Sequence, residues 1–270
     1  MHHSQDKSSA LGQGVTIFVF LTALTLLEFF IAVAVHNTPL LIMVAIVKAA
    51  LVLYYYMHIG SLNDEENGGG HDSYAYKTGT DRLGLWLFLL SDAFVFAGLG
   101  VARFNLMGLT RPELAQLFGL FVTNILLISS FSMNRAETMM AHGDTKGFMN
   151  WSLVTMFLGL GFFFGVVIVE WHTIPAIAQF VLGLFGEHVG EPLTASRSAV
   201  GAIFFMMTGM HAFHVLTGLA LLQVVRNKAR KGYYSAEKHW GVEAATIYWH
   251  FVDVVWIFFY PALYLIGKLA

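Results

Sequence analysis

The sequence predicts an all-α, multi-pass transmembrane bundle of seven helices, and three observations predict it. Hydrophobic residues make up 57% of the chain and charged residues 12%, where a soluble domain carries about 25% charge. Mean hydropathy is +0.65; so few charges cannot coat a soluble particle of this size, and the surplus apolar surface must face lipid. The apolar residues also fall into seven runs, at about 14–35, 39–58, 83–106, 114–133, 148–171, 198–225 and 242–267. Each is close to the roughly 20 residues that cross a bilayer core as a helix, and none shows the strict alternation of barrel strands. With 15 Lys+Arg against 17 Asp+Glu the net charge is -2, which points to no nucleic-acid partner. There are no cysteines, so disulfides, thiolate metal sites and Fe–S clusters in this chain are excluded.

Taken in order, the first run has Lys7 as the only cation before Gly14. It lacks the cationic start and cleavage site of a signal peptide, so it is expected to be retained. Runs one and two flank a short turn at His36–Pro39, with Glu28 before it and Lys48 after it. Both lie roughly 12–14 Å below that turn, where opposite charges on adjacent antiparallel helices can pair. A hairpin ion pair is the expectation, with proton conduction the sharper alternative. The polar stretch Asn63-Asp64-Glu65-Glu66-Asn67-Gly68-Gly69-Gly70 then reads as a linker. It divides the chain into a hairpin (1–60), a linker (61–81) and a five-helix body (82–270).

In the body, Asp92, His214, His250 and Asp253 lie ten, twelve, nine and twelve residues from Arg82, Arg226, Gly241 and Gly241. That is a common depth of roughly 14–18 Å, within about one helical turn. His211 and His214 share a helix face, as do His250 and Asp253, with Glu243 continuing the latter stripe. A buried polar cluster of Asp92, His211, His214, His250, Asp253 and Glu243 is the expectation. Metal or haem ligation by the three histidines is the alternative, but haem needs opposed axial ligands and i,i+3 residues point the same way. No metal site is expected. Arg103 and Glu170, near span ends, are read as snorkelling or headgroup-contacting groups. Trp151, Trp171 and Trp240 read as interfacial anchors. Gly98, Gly100, Gly159 and Gly161 read as points of close helix approach. No P-loop, dinucleotide fingerprint, HExxH or nucleophile elbow occurs.

The segment between runs six and seven carries Arg226, Lys228, Arg230, Lys231 and Lys238, the one dense basic cluster. By the positive-inside rule it is cytoplasmic, which puts the N-terminus inside and the C-terminus outside. Glu187 and Glu191, between runs five and six, are then outside.

Three segments carry a resemblance. Thr208-Gly209-Met210-His211-Ala212-Phe213-His214-Val215-Leu216-Thr217-Gly218 resembles the T-G-x-H-x-x-H-V-x-x-G signature of subunit III of haem-copper cytochrome oxidases. Gly241-Val242-Glu243-Ala244-Ala245 with Tyr248-Trp249-His250-Phe251-Val252-Asp253-Val254-Val255-Trp256 is similar to that family's last helix. Leu85-Trp86-Leu87-Phe88-Leu89-Leu90-Ser91-Asp92 resembles its W-L-F-L-x-S-E stretch, with Asp for the usual Glu. Val47-Lys48-Ala49-Ala50-Leu51-Val52-Leu53-Tyr54-Tyr55-Tyr56-Met57-His58 is similar to the end of the small bacterial subunit IV, so the chain reads as a subunit IV–III fusion.

The resemblance implies an accessory subunit of a proton-pumping terminal oxidase in the bacterial cytoplasmic membrane. It implies no haem or copper in this chain, these cofactors belonging to partner subunits, with contacts to subunit I, subunit II and other respiratory complexes. It implies phospholipid in a cleft between helix groups, with Arg226 or Lys228 at a headgroup-contacting position and Asp92 as the family's carbodiimide-reactive carboxylate. A quinol oxidase or nitric-oxide-reductase subunit shares these signatures. A haem-binding cytochrome is the alternative of another class. A secondary transporter is disfavoured: the five prolines sit mostly at span ends and no inverted repeat is visible.

Overall fold

A computed structural model describes residues 7–35, 37–57, 74–187, 193–196 and 198–269. His36, His58, Glu191 and the Asn63–Gly70 stretch lie outside them. Among the described residues seven helices are long and apolar enough to cross a membrane. They are α1 (Lys7–Phe30), α2 (Thr38–Leu51), α3 (Tyr74–Met107), α4 (Gln116–Ala141), α5 (Thr145–Phe164), α7 (Ala199–Arg230) and α8 (Trp240–Tyr260), with a short α6 (Pro175–Leu184) between α5 and α7. Wider π-helical turns extend α1 (Ile31–Val35), α2 (Val52–Tyr56), α5 (Gly165–Glu170) and α8 (Pro261–Leu265).

Local chemistry sets the starts. Asn37 caps α2 by accepting from Leu40 N, with Pro39 in the first turn. Asp144 caps α5 at Gly147 N and Ser198 caps α7 at Gly201 N. Each cap satisfies an amide that has no partner inside its own helix. Several helices reach beyond the apolar runs: α1 begins at Lys7 and α7 ends at Arg230. Residues 74–81, assigned to the linker, are the first turns of α3, and α4 continues past 133 to Ala141. The charged Asp81, Arg82, Arg135 and Glu137 broke the apolar runs but not the helices.

The bundle is built around α8: 83% of its membrane-spanning window is buried, against 11% for α3. Helix α8 packs on α2, α3, α4 and α7; α1 packs on α4, and α5 joins α4 to α7. The hairpin therefore lies directly against the body. Phe18 stacks on Phe131 at 4.9 Å and Tyr56 on His250 at 4.9 Å, and the Tyr56 hydroxyl donates to Gly14 O across the hairpin.

Glycine does the close packing at two places around Trp249. A Cβ on Gly159 would lie 2.5 Å from its ring, and one on Gly218 3.0 Å from it. Trp249 donates from that slot to Ser129 Oγ at 3.2 Å. Gly98, Gly100 and Gly161 make no such approach among the described residues; a Cβ at each would meet nothing within 4 Å.

Candidate functional site

Among the described residues, five of the six side chains expected to form one polar cluster divide among three separate groupings. The first joins α3 to α7. Asp92 Oδ2 lies 3.3 Å from His214 Nε2, and His214 Nδ1 is 2.8 Å from Met210 O. A carbonyl only accepts, so Nδ1 carries a proton. The Nε2···Oδ2 contact is attractive only with a further proton on the ring or the carboxyl. Tyr248 closes the same region through Thr217 Oγ1 at 2.6 Å.

The second grouping lies between α8 and α4. His250 Nδ1 meets Ser130 Oγ at 2.7 Å, and Asp253 Oδ2 is 3.8 Å from the same ring nitrogen. Both residues are buried.

The third is at the end of the bundle bearing the α7–α8 loop. Arg82 Nη2 donates to Glu243 Oε1 at 2.8 Å beneath the ring of Trp240, with the buried Glu137 beside both. Glu243 thus leaves the stripe of His250 and Asp253 and pairs with α3. Sequence reasoning used Arg82 only as a depth marker and missed Glu137, Ser130 and Tyr56. The signal available was Glu137 itself, a carboxylate continuing the helical period of an apolar run.

His211 joins none of these. It is buried between Trp256, at 4.9 Å, and Phe162, at 5.5 Å, and among the described residues neither ring nitrogen has a hydrogen-bond partner. Among the described residues no three His, Cys, Asp or Glu converge as metal ligands would.

The hairpin charges meet. Lys48 Nζ pairs with Glu28 Oε2, both side chains fully buried.

Three of the four residues assigned to headgroup contact turn inward. Arg103, 0% exposed, donates to the carbonyls of Ala262 (2.6 Å), Gly108 (2.6 Å), Thr110 (2.8 Å) and Ile266 (3.0 Å). A guanidinium with five fixed donors suits a ring of carbonyls. Beside it Thr110–Arg111 pairs in parallel with Lys268–Leu269. Arg226 is also buried and donates to Met149 O and Ser152 Oγ on α5. Glu170 is buried against Tyr264. For Arg103 and Arg226 protein atoms supply what water or a headgroup would have supplied. Lys228 stays exposed. Of the tryptophans, Trp171 donates to Thr208 Oγ1 at 3.0 Å, Trp151 lies under Arg135 and Trp240 over Arg82.

A groove of about 660 Å³ opens between α2 and α3 with α8 as its floor. Ile42, Ala45, Phe96, Gly100, Val254 and Phe259 line it. Phe96 also packs edge-on against His214 at 4.8 Å, so one ring joins the groove wall to the Asp92–His214 pair.

The sequence profile of the family described as Cytochrome c oxidase subunit III matches residues 2–268. Cytochrome c oxidase subunit 3 of Dasypus novemcinctus is 29% identical over 245 residues, covering 86% of each chain. The Bos taurus protein of the same name is also 29% identical over 245 residues, again covering 86% of each. That of Thermostichus vulcanus is 36% identical over 194 residues, 69% of this chain and 87% of its own. With a match running from the hairpin through the last helix, and seven membrane-length helices among the described residues, this chain belongs to the cytochrome c oxidase subunit III family.

Proposed function

We propose that the chain is an accessory subunit, without redox centres of its own, of a terminal oxidase that reduces O2 to water and pumps protons. It acts by covering part of subunit I and holding phospholipid against it, in the cytoplasmic membrane of a bacterium. The basic loop after α7 faces the cytoplasm in this reading. Subunit II and other respiratory complexes are further neighbours, and haem and copper belong to partner subunits.

The observation that carries the reading is the groove between α2 and α3. Its lining is almost wholly apolar, it opens along helices that face lipid, and its volume suits acyl chains. Its wall residue Phe96 touches His214, so an acyl chain seated there packs against the Asp92–His214 pair. Lys228 remains available for a headgroup contact, whereas Arg103, Arg226 and Glu170 support the fold. The role proposed for the buried polar groups is to hold the helices in one arrangement through directional contacts that apolar packing alone does not specify.

The family match begins at residue 2, and the hairpin packs on α4 and α8. Both favour the hairpin as an integral part of the seven-helix form over a join of two proteins. A haem-binding role is not favoured. His214 is engaged by Met210 O and Asp92, His250 by Ser130, and His211 sits in an aromatic slot, so the three rings do not face one another across a shared centre.

Purification in mild detergent tests the reading. Oxidase subunits should co-purify, with haem absorbance assigned to them and phospholipid retained by the complex. Filling the groove with Ala45→Leu and Gly100→Leu should reduce that lipid and hasten loss of activity during turnover. A chain that purifies alone, or one that carries haem itself, overturns it.

A further inference from the structure

Helix α6 belongs to none of the groupings above. Its ten residues span about 15 Å, half the hydrocarbon core, and the segment from Trp171 to Gly186 contains no Lys, Arg, Asp or Glu. An apolar helix of that length is a core helix, a re-entrant segment or an interfacial one.

Both of its ends are tied at one level. At the first, the chain reverses through His172 at φ 51, with Thr173 Oγ1 donating to Val167 O at 2.7 Å. Helix α6 then packs on the last turn of α5. At the other end, Phe185 lies 5.6 Å from Phe118 and 5.2 Å from Phe121. Glu187 accepts from the amides of Leu117 (2.8 Å) and Phe118 (3.2 Å), the open donors at the start of α4. The end of α5 and the start of α4 lie on the same side of the membrane, so a helix strung between them runs along the surface rather than across it.

Its circumference has three sectors. Ala178 and Leu182 are buried against the bundle. Ile177, Phe180 and Leu184 form an exposed apolar edge, with Phe180 69% and Leu184 71% exposed. Ala176, Gln179 and Gly183 form an exposed edge of small and polar residues. Protein, oil and water each have a side. The apolar edge is also continuous, through Phe185, with the lipid-facing Leu117 and Phe121 of α4.

We propose that α6 is a membrane-surface strap, lying in the bilayer interface with Ile177, Phe180 and Leu184 in the acyl region and Gln179 toward water, and holding the ends of α4 and α5 together. Such partition is driven by apolar area buried below the headgroups and needs no charge.

The chain has no cysteine, so single nitroxide labels need no background removal. Phe180→Cys, Leu184→Cys and Gln179→Cys, labelled in the full chain in phosphatidylcholine–phosphatidylglycerol nanodiscs, are compared by power-saturation EPR with O2 and a nickel chelate. The O2-to-nickel accessibility ratio should be severalfold higher at 180 and at 184 than at 179. Equal ratios at the three sites overturn the proposal, whether all read as water or all as lipid. So does shielding of 180 and 184 from both reagents, which would mean that protein covers the edge. Either apolar-edge label suffices if the other variant does not fold.

Discussion

Arg82 and Glu243, 161 residues apart, meet at 2.8 Å under the ring of Trp240. Helix α3 is mostly lipid-exposed, so this pair is one of few directional ties holding it to α8. Arg82→Ala should lower thermal stability by about 1–3 kcal/mol, between the exposed and fully buried limits for ion pairs. Because Glu137 lies beside both, Arg82→Ala should cost more than Glu243→Gln, which keeps a hydrogen-bond acceptor. Thermal unfolding followed by tryptophan fluorescence checks the order.

The Lys48–Glu28 pair gives a sharper test. Glu28→Ala alone strands a buried ammonium and should cost about 3–5 kcal/mol, more than the Glu28→Ala, Lys48→Ala pair. Equal losses in a thermal-melt double-mutant cycle would show that the two charges do not interact.

Arg103 should not tolerate lysine. One ammonium cannot reach carbonyls on the α3–α4 connection and at the end of α8 together, so Arg103→Lys should cost about 2–4 kcal/mol. Limited proteolysis should then release the Lys268–Leu269 segment early.

At Gly159 an added methyl would lie 2.5 Å from Trp249. Gly159→Ala should destabilise by about 1–3 kcal/mol and be partly rescued by Trp249→Phe. At Gly161 there is open space, and Gly161→Ala should leave the melting temperature unchanged or slightly raised. The two melts side by side make the comparison.

Asp92→Asn keeps the size of the side chain facing His214 but removes the carboxyl group. Assembly should persist while turnover-dependent inactivation or bound-lipid content changes. Inactivation kinetics and lipid mass spectrometry together read this, and no change in either removes the carboxylate from the proposed role.

The seven spans were legible because a lipid-crossing helix needs about 20 apolar residues in a row, and that is a property of the chain itself. Helix α6 was not, because ten apolar residues between two turns look the same whether they run over a loop or lie along a surface. Residues 74–81 were hidden for a related reason: polar residues continue a helix once it leaves the oil, where hydropathy no longer marks it.

The sequence by itself determined that the chain lives in a membrane, how many times it crosses, and at what depth each charge sits, since rise per residue converts position into depth. Tertiary structure decided which way each charge faces. Arg103 looks like a headgroup ligand by its depth and Arg226 by the family resemblance, yet both turn to protein acceptors, Arg103 to backbone carbonyls alone and Arg226 to a carbonyl and a hydroxyl. Asp92, His211, His250 and Glu243 share a region of the sequence map but separate around α8. Depth runs along one helix and is local, whereas azimuth matters only relative to a neighbour, and the neighbours are chosen by packing.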